Sequence, residues 1–304
     1  MENLDTSTNE PPLGHVPKVS TFCPIRHEIK CNNRFRFEIY VGGRCHDVDM
    51  DPRDEPLTVP DDCIRWCGAR DHGLAVLDDM TLVDLDWWNT RLDRHQIPVR
   101  IAGHDRDGHQ IDTGTAYLSR SDLQRESCTL EFDGRRDLTA LYLCAAWLYS
   151  HPHRGRARRF VDVRTPSTPD QPFRVITEAF AACERSPSLT DAGPFRQWSG
   201  WPKAPGVGPS LFSLYCWATH PDNIQRPQLL DQQSVSSLIQ HGWLENPSVP
   251  QFTVARYTRY TDLLHHWAAQ AGTTAELVEM WLTHSWRAQI ADADRLRRGH
   301  RNIA

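Results

Sequence analysis

Hydrophobic residues in the second half of the chain recur at intervals of three or four, the spacing that places them on one face of an α-helix. This spacing predicts helices over residues 138–150, 173–186, 210–220, 233–244, 255–272 and 273–298. Leu82, Leu85, Trp88 and Leu92 share the spacing, so residues 78–95 are also predicted to form a helix. From residue 136 onward, almost the whole chain is therefore expected to be helical.

The first half of the chain has short segments that are typical of strands. Residues 34–43 and 97–103 are predicted strands, and the Asp-Gly turn within residues 104–110 joins the second of them to residues 111–118 in a hairpin. The expected fold class is α+β, with a mixed α and β region followed by a mostly helical domain. The predicted divisions are a disordered tail over residues 1–20, a mixed domain over 21–135 and a helical domain over 136–304.

Composition limits the partners that the chain can have. Its 304 residues carry a formal net charge of −5, from 34 Lys and Arg against 39 Asp and Glu, so a polyanion must meet a local basic face. The basic clusters at residues 151–159 and 295–301 are candidates for that face, with solvated helix ends as the alternative. The first residues lack the apolar core of a signal peptide and no apolar run could span a bilayer, so a soluble cytoplasmic protein is expected.

Nine cysteines, an odd number without an export signal, are expected to be reduced and mostly packed as small hydrophobic residues. Cys23, His27 and Cys31, together with Cys63 and Cys67, are the candidates for a zinc site. Their spacing matches no compact zinc-binding pattern, so no metal is predicted.

The turn Pro205–Pro209 has the composition of a helix–hairpin–helix motif. Gly206 and Gly208 permit positive φ angles, and Pro209 suits the first turn of the helix that follows. The unpaired N–H groups at the start of that helix would bind an anion such as a DNA phosphate. With a short helix predicted over residues 191–201, the motif spans about residues 191–220, and an ordinary helix–helix turn is the alternative.

The segment Pro205–Ala218, with Asp231 placed 21 positions after Ser210, resembles the helix–hairpin–helix DNA glycosylases, in particular the 8-oxoguanine branch. The resemblance extends over about residues 173–244. In that superfamily an aspartate at the start of the next helix is catalytic, so the resemblance implies that role for Asp231. It also implies double-stranded DNA as partner and base flipping, with hydrolysis of the N-glycosidic bond to leave an abasic site.

The match departs from the bifunctional members of that superfamily at one position. Ser210 stands where they carry a lysine that attacks the sugar, and a serine cannot form the imine, so a glycosylase without lyase activity is implied. The phosphate-contacting residues implied by the resemblance are Gly206, Val207, Gly208, Ser210 and Gln233. No organic cofactor is expected, a monovalent cation at the hairpin is the one ion considered, and the protein is expected to act as a monomer.

The chemistry explains why one carboxylate is sufficient. Breaking the glycosidic bond builds positive charge on the sugar, which an ionised Asp231 stabilises while it orients or deprotonates the attacking water. The flipped base requires aromatic faces, with core packing as the alternative for each residue. The candidates for this base pocket are Trp198, Trp201, Phe212, Trp217, Trp281 and Trp286.

The sequence leaves the excised base open. It is either a damaged purine such as 8-oxoguanine, or a hypermodified or glucosylated phage base removed in antiviral defence. Two other classes of function also stay open: a non-catalytic DNA-binding protein in which Asp231 only caps its helix, and a zinc-bearing regulatory protein built on residues 23–67.

Overall fold

The chain divides into two compact units, residues 1–50 and residues 51–304. A computed structural model describes residues 38–41, 44–47, 57–129, 135–154, 159–186, 189, 197, 199–243 and 248–301. In the first unit, β1 (Glu38–Val41) pairs antiparallel with β2 (Arg44–Asp47), and Glu38 lies opposite Asp47. This strand confirms part of the segment predicted at residues 34–43, whose other residues lie outside the described ones.

The second unit contains a four-stranded antiparallel sheet with the strand order β3-β6-β4-β5. Its strands are β3 (Met80–Asp84), β4 (Gly103–His104), β5 (Gln110–Ile111) and β6 (Thr115–Ser119). The predicted hairpin turn is confirmed, since His104 pairs with Gln110, but the strand predicted after it at residues 111–118 is divided into β5 and β6. The strand predicted at residues 97–103 is wrong for residues 97–102. The Asn89 side chain hydrogen-bonds to both the N–H and the carbonyl of Ile101, so it takes the place of a neighbouring strand.

The helix predicted over residues 78–95 is wrong in its first part, where the chain forms β3 before α2 (Leu85–Arg94) begins. Thr81 and Val83 are buried while Leu82 is half exposed, which is the alternation of a strand with one covered face. All five residues of β3 pair with residues of β6 that lie more than 30 positions further along the chain. This pairing, and not the helical spacing of the apolar residues, determines the structure of the segment.

Helices make up most of the second unit, and two of them, α1 and α3, lie in the region predicted to be mixed. They are α1 (Asp61–Gly68), α2 (Leu85–Arg94), α3 (Arg120–Thr129), α4 (Arg135–Ser150), α5 (Arg174–Arg185), α6 (Pro209–Thr219), α7 (Gln232–Gln240), α8 (Val254–Ala271) and α9 (Ala275–Arg301). The six helices predicted in the second half are confirmed, with ends that differ by a few residues. The α+β fold class is confirmed as well.

Two helices organise the core around the candidate site. The middle of α4 is buried on every side, and α4 packs against α3, α6 and β3. The longest helix, α9, packs against α7, α8 and α1. The helix α4 begins at the predicted domain boundary between residues 135 and 136, and it contacts elements on both sides of that boundary. The division into two domains there therefore stays a prediction. None of the helices in the described part of the chain is long and apolar enough to cross a membrane.

Candidate functional site

The predicted hairpin forms a tight turn that leads directly into α6. Val207 donates its N–H to the carbonyl of Ala204 at 3.3 Å, and Gly206 has a φ of 71°. Pro205 followed by a glycine with positive φ is the pattern of a type II turn. Only Gly206 uses the positive φ that a glycine permits, since Gly208 has a φ of −102° and precedes Pro209 as the N-cap of α6. The predicted helix before the turn, residues 191–201, lies largely outside the described residues, and its last three residues form a turn.

Ser210 lies in the first turn of α6, where backbone N–H groups have no acceptor within the helix. One buried hydroxyl connects this turn to the chain that precedes Asp231. The Ser213 hydroxyl donates to the carbonyl of Ser210 at 2.9 Å and accepts from the N–H of Leu230 at 2.9 Å. The hairpin end of α6 and the predicted catalytic residue are therefore neighbours, fixed in register by one side chain.

The connector before Asp231 is also fixed from the side of α8. The Tyr257 hydroxyl donates to the carbonyl of Gln228 at 2.9 Å, and the Tyr260 hydroxyl donates to that of Leu229 at 2.8 Å. These tyrosines lie about one turn apart on one face of α8, so consecutive carbonyls of the connector each have a partner. The backbone that carries Asp231 thus has little freedom to move.

Asp231 is the N-cap of α7, and both of its carboxylate oxygens are engaged. Oδ1 accepts the backbone N–H of Ser234 at 2.7 Å, as in a standard N-cap. Oδ2 accepts from Nη1 of Arg154 at 2.8 Å, and the two side chains are 4% and 1% exposed. The carboxylate that the sequence predicts to be catalytic is therefore both a helix cap and half of a buried ion pair.

Arg154 is the centre of a larger group of charges, which we call the Asp231 cluster: Asp231, Arg154, Glu279, Arg120, Asp79 and His151. Arg154 Nη1 also donates to Oε1 of Glu279 at 2.5 Å, and Arg120 donates to Oε2 of Glu279 at 2.9 Å. Burial alone would lower the pKa of Arg154, but the charges of Glu279, Asp231 and Asp79 raise it well above its ordinary value.

Asp79 is the member of the cluster that directly precedes strand β3 of the sheet. His151 contacts Oδ1 of Asp79 through Nε2 at 3.0 Å and accepts the backbone N–H of His153 at Nδ1, which fixes the proton of His151 on Nε2. Burial raises the pKa of Asp79, but the hydrogen bond from His151 and the charge of Arg154 outweigh it, so the pKa is lowered. Besides His151, the members of the cluster are three carboxylates and two guanidinium groups, so these five groups have one formal negative charge in excess.

The structure corrects the interpretation of the basic cluster at residues 151–159. Arg154 was predicted to lie on a DNA-binding face or a solvated helix end, but three acidic partners draw it into the interior. Residues 155–158 of that cluster lie outside the described residues. A signal for the pairing was present in α9, where Glu279 interrupts the buried apolar residues Val278 and Leu282 and therefore needs a cation.

The predicted base pocket is placed mainly in the core. Trp201, Phe212, Trp217 and Trp281 are each at most 3% exposed, because they pack against other aromatic and basic side chains. Trp198 lies outside the described residues, and of the other five only Trp286 is partly exposed. The assignment of these residues to a base pocket stays a prediction.

The surface beside the Asp231 cluster carries an amide, Gln233, and a cation, Arg287. Gln233, predicted to contact phosphate, is half-buried and donates its amide to the carbonyl of His153. On α9, Arg287 lies two turns beyond Met280, whose sulfur accepts from Arg154. Arg287 is exposed, and within the described ranges no carboxylate lies within ion-pair distance of it. Arg287 is therefore an exposed, unpaired cation next to the cluster, where an anionic partner can contact it.

The cysteines considered as candidates for a zinc site, for which no metal is predicted, are described only in part. Cys63 and Cys67 lie one turn apart on α1 with their sulfurs 4.0 Å apart, both buried, whereas Cys23, His27 and Cys31 lie outside the described residues. In the described part of the chain, one group has ligand-type atoms close enough together to hold an ion. It is formed by Asp105, Asp107 and His109 in the turn between β4 and β5.

Comparison with known families gives one match. The model of the family described as "Putative 8-oxoguanine DNA glycosylase OGG-like protein" matches residues 75–283. This span contains the hairpin, Asp231 and every member of the Asp231 cluster. No curated protein and no solved structure matches the chain.

Proposed function

The chain belongs to the OGG-like 8-oxoguanine DNA glycosylase family, and on this premise we propose that it is a monofunctional DNA glycosylase with Asp231 as its catalytic residue. The observation that carries the proposal is the placement of Asp231 at the start of α7, joined through Ser213 to the hairpin end of α6. A phosphate bound at α6 would bring a DNA strand to the neighbourhood of the one carboxylate predicted to act on it.

The excess negative charge of the Asp231 cluster supports this role. In the reaction, the bond between C1′ of the sugar and the base nitrogen breaks, and the departing base takes the electron pair. The sugar becomes cationic, and a carboxylate in a site shielded from water stabilises that charge more strongly than water would. Water then adds to C1′, and its proton passes by way of Asp231 to the base or to solvent.

The absence of an amine at position 210 supports hydrolysis without lyase chemistry. Ser210 follows the hairpin, and its hydroxyl cannot form an imine with the sugar. Lys203, which precedes the turn, is exposed. The product is therefore an abasic site in an intact strand, which breaks only after treatment with alkali.

The base is proposed at the level of two classes, a damaged purine or a hypermodified or glucosylated phage base. The test incubates the protein with duplexes that contain 8-oxoguanine, alkylated bases, uracil, or natural or glucosylated hydroxymethylcytosine. We expect breaks after alkali with one class of duplex, and none with Asp231→Asn. Breaks without alkali would contradict the monofunctional assignment.

One observation favours a second candidate, a DNA-binding protein without catalytic activity. Both oxygens of Asp231 are engaged, by Ser234 and by Arg154, so the residue has a complete structural role as a cap and ion-pair partner. DNA binding with no base release from any duplex of the panel would establish this candidate in place of the enzyme.

A further inference from the structure

Arg154 binds the carboxylate oxygen of Asp231 that would have to contact the reacting sugar, given the function proposed above. Its guanidinium is a planar cation 2.8 Å from Oδ2 of Asp231. The sugar in the transition state is also a flattened cation, and it draws its stabilisation from the same carboxylate. Two cations at contact distance from one oxygen repel each other, so the arrangement in this structure opposes the reaction.

A second position for the guanidinium lies beside Asp79. Nε of Arg154 and Oδ2 of Asp79 are 3.8 Å apart, too far for a hydrogen bond. Both atoms are buried, and neither has a hydrogen-bond partner in the described part of the chain. A shift of about 1 Å would bring them to the distance of a charge-assisted hydrogen bond.

The other contacts of the cluster permit this shift. Glu279 contacts the guanidinium at 2.5 Å, so a shift of about 1 Å leaves these two groups within ion-pair distance, while Asp231 keeps the N–H of Ser234 as its cap. The new bond to Asp79 replaces the one to Asp231, so Arg154 remains neutralised. The same shift breaks the hydrogen bond between Nη1 of Arg154 and Oδ2 of Asp231, so the cationic sugar can contact this oxygen.

We propose that Arg154 has two positions, one on Asp231 and one on Asp79, and that base excision requires the second. Arg154 is in this sense a positioning residue, which controls when Asp231 can act on the sugar. Asp79 is the group that stabilises the open arrangement.

The test measures how strongly the protein prefers a cationic sugar. Two duplexes are compared, one with a cationic pyrrolidine ring in place of a deoxyribose and one with a neutral tetrahydrofuran ring at that position. The ratio of their dissociation constants, the cation preference, reports access to the charge of Asp231, because a transition-state mimic binds through interactions that neutral analogues lack. Changes in general DNA affinity or folding affect both duplexes equally.

Two substitutions are expected to move this ratio in opposite directions. Arg154→Gln removes the competing charge and should raise the cation preference about tenfold, the scale of one charge-assisted hydrogen bond. Asp79→Asn removes the second position and should lower it by a similar factor. Both variants should fold, since Glu279 keeps Arg120 and the Asn amide oxygen can still accept from His151.

Each other outcome has a definite meaning. The two-position proposal is overturned if Arg154→Gln and Asp79→Asn leave the cation preference unchanged while Asp231→Asn abolishes it. The proposed function is then unaffected. Equal binding of both duplexes by the wild type and by all variants overturns both. If Arg154→Gln fails to fold, an unchanged ratio in Asp79→Asn alone contradicts the proposal.

Discussion

The hairpin before α6 and the Asp231 cluster lie next to each other, yet they are built in opposite ways. The hairpin is a local structure, made by five consecutive residues, and it presents backbone N–H groups without a net charge. The cluster joins side chains from α3, α9 and the N-cap of α7 with side chains from the segments before β3 and after α4, and its charges are almost all buried. The hairpin is suited to bind an anion without rearrangement, whereas most charged groups of the cluster are already paired with one another.

This difference separates binding from chemistry. Substitutions in the hairpin should act on DNA affinity, because they change how closely a phosphate can approach the backbone. Substitutions in the cluster should act on the rate of base release, because they change the field at the reacting sugar. Four pairs of matched variants test this separation, in order of decreasing expected effect.

The largest effect is expected for Asp231→Asn, which keeps an oxygen for the N–H of Ser234 but removes the charge. Base release should fall by about 10²- to 10³-fold, the usual loss for one electrostatic stabiliser, as measured by alkali-labile breaks in single-turnover reactions. Asp84→Asn is the matched control, since Asp84 caps α2 through the N–H of Trp87 in the same way. A similar loss of activity in both variants would show a general effect of removing the charge of a helix cap, not a specific role of Asp231.

Ser213→Ala breaks the connection between the two regions. The N–H of Leu230 would lose its buried acceptor, so the free energy of unfolding should fall by about 1–3 kcal/mol, measured by urea denaturation. Ser237→Ala is the control, because the Ser237 hydroxyl is equally buried and has no hydrogen-bond partner in the described part of the chain. Equal stability of the two variants would contradict the role given to Ser213.

Gly206→Ala and Gly208→Ala distinguish the shape of the hairpin from its contact with DNA. At Gly206 a Cβ would lie 3.1 Å from Cγ1 of Val161 at a positive φ, so we expect a loss of stability of about 1–2 kcal/mol. At Gly208 a Cβ would meet nothing within 4 Å, so stability should stay unchanged while DNA affinity falls. Unfolding curves and fluorescence anisotropy with labelled duplex measure the two effects, and unchanged affinity in Gly208→Ala would place the phosphate elsewhere.

The smallest effect is expected for Arg287→Gln on the surface of α9. It should weaken DNA binding a few-fold and reduce the slope of log affinity against log salt by about 1, as expected for one phosphate contact. Arg295→Gln is the control, since Arg295 lies two turns further along the helix and already pairs with Asp292. The same slope in the wild type and Arg287→Gln would remove Arg287 from the DNA contact.

Most of the fold could be predicted where local pattern and tertiary packing agree. The helices from α4 to α9 follow their apolar spacing, because their apolar residues are buried against neighbours, on one face in α5, α7 and α8 and on every side in the middle of α4. The prediction failed at β3, where Leu82 and Leu85 have helical spacing but antiparallel pairing with β6 determines the structure. It also failed at residues 97–102, where the Asn89 side chain, not another strand, supplies the hydrogen bonds of Ile101.

The candidate site could be predicted in part for the same reason. Gly206, Pro209 and Asp231 have local signatures, a turn, a first helical position and a cap, and the structure has all three at the predicted places. The aromatic residues were weaker candidates, because a buried tryptophan and a base-stacking tryptophan have the same pattern in a sequence. Arg154 was assigned to the surface, because a cluster of basic residues is usually solvated.

By itself the sequence determined the helical second half, the tight turn before α6 and the position of a carboxylate at the start of α7. These are properties of short stretches of chain, fixed by φ preferences, helix capping and apolar spacing. Only the tertiary structure decided that Arg154, 77 positions before Asp231, becomes its partner, and that Glu279 and Asp79 share the same guanidinium. The reason is physical: a charge becomes buried only where the packing of distant elements encloses it, and it then pairs with whichever opposite charges that packing places beside it.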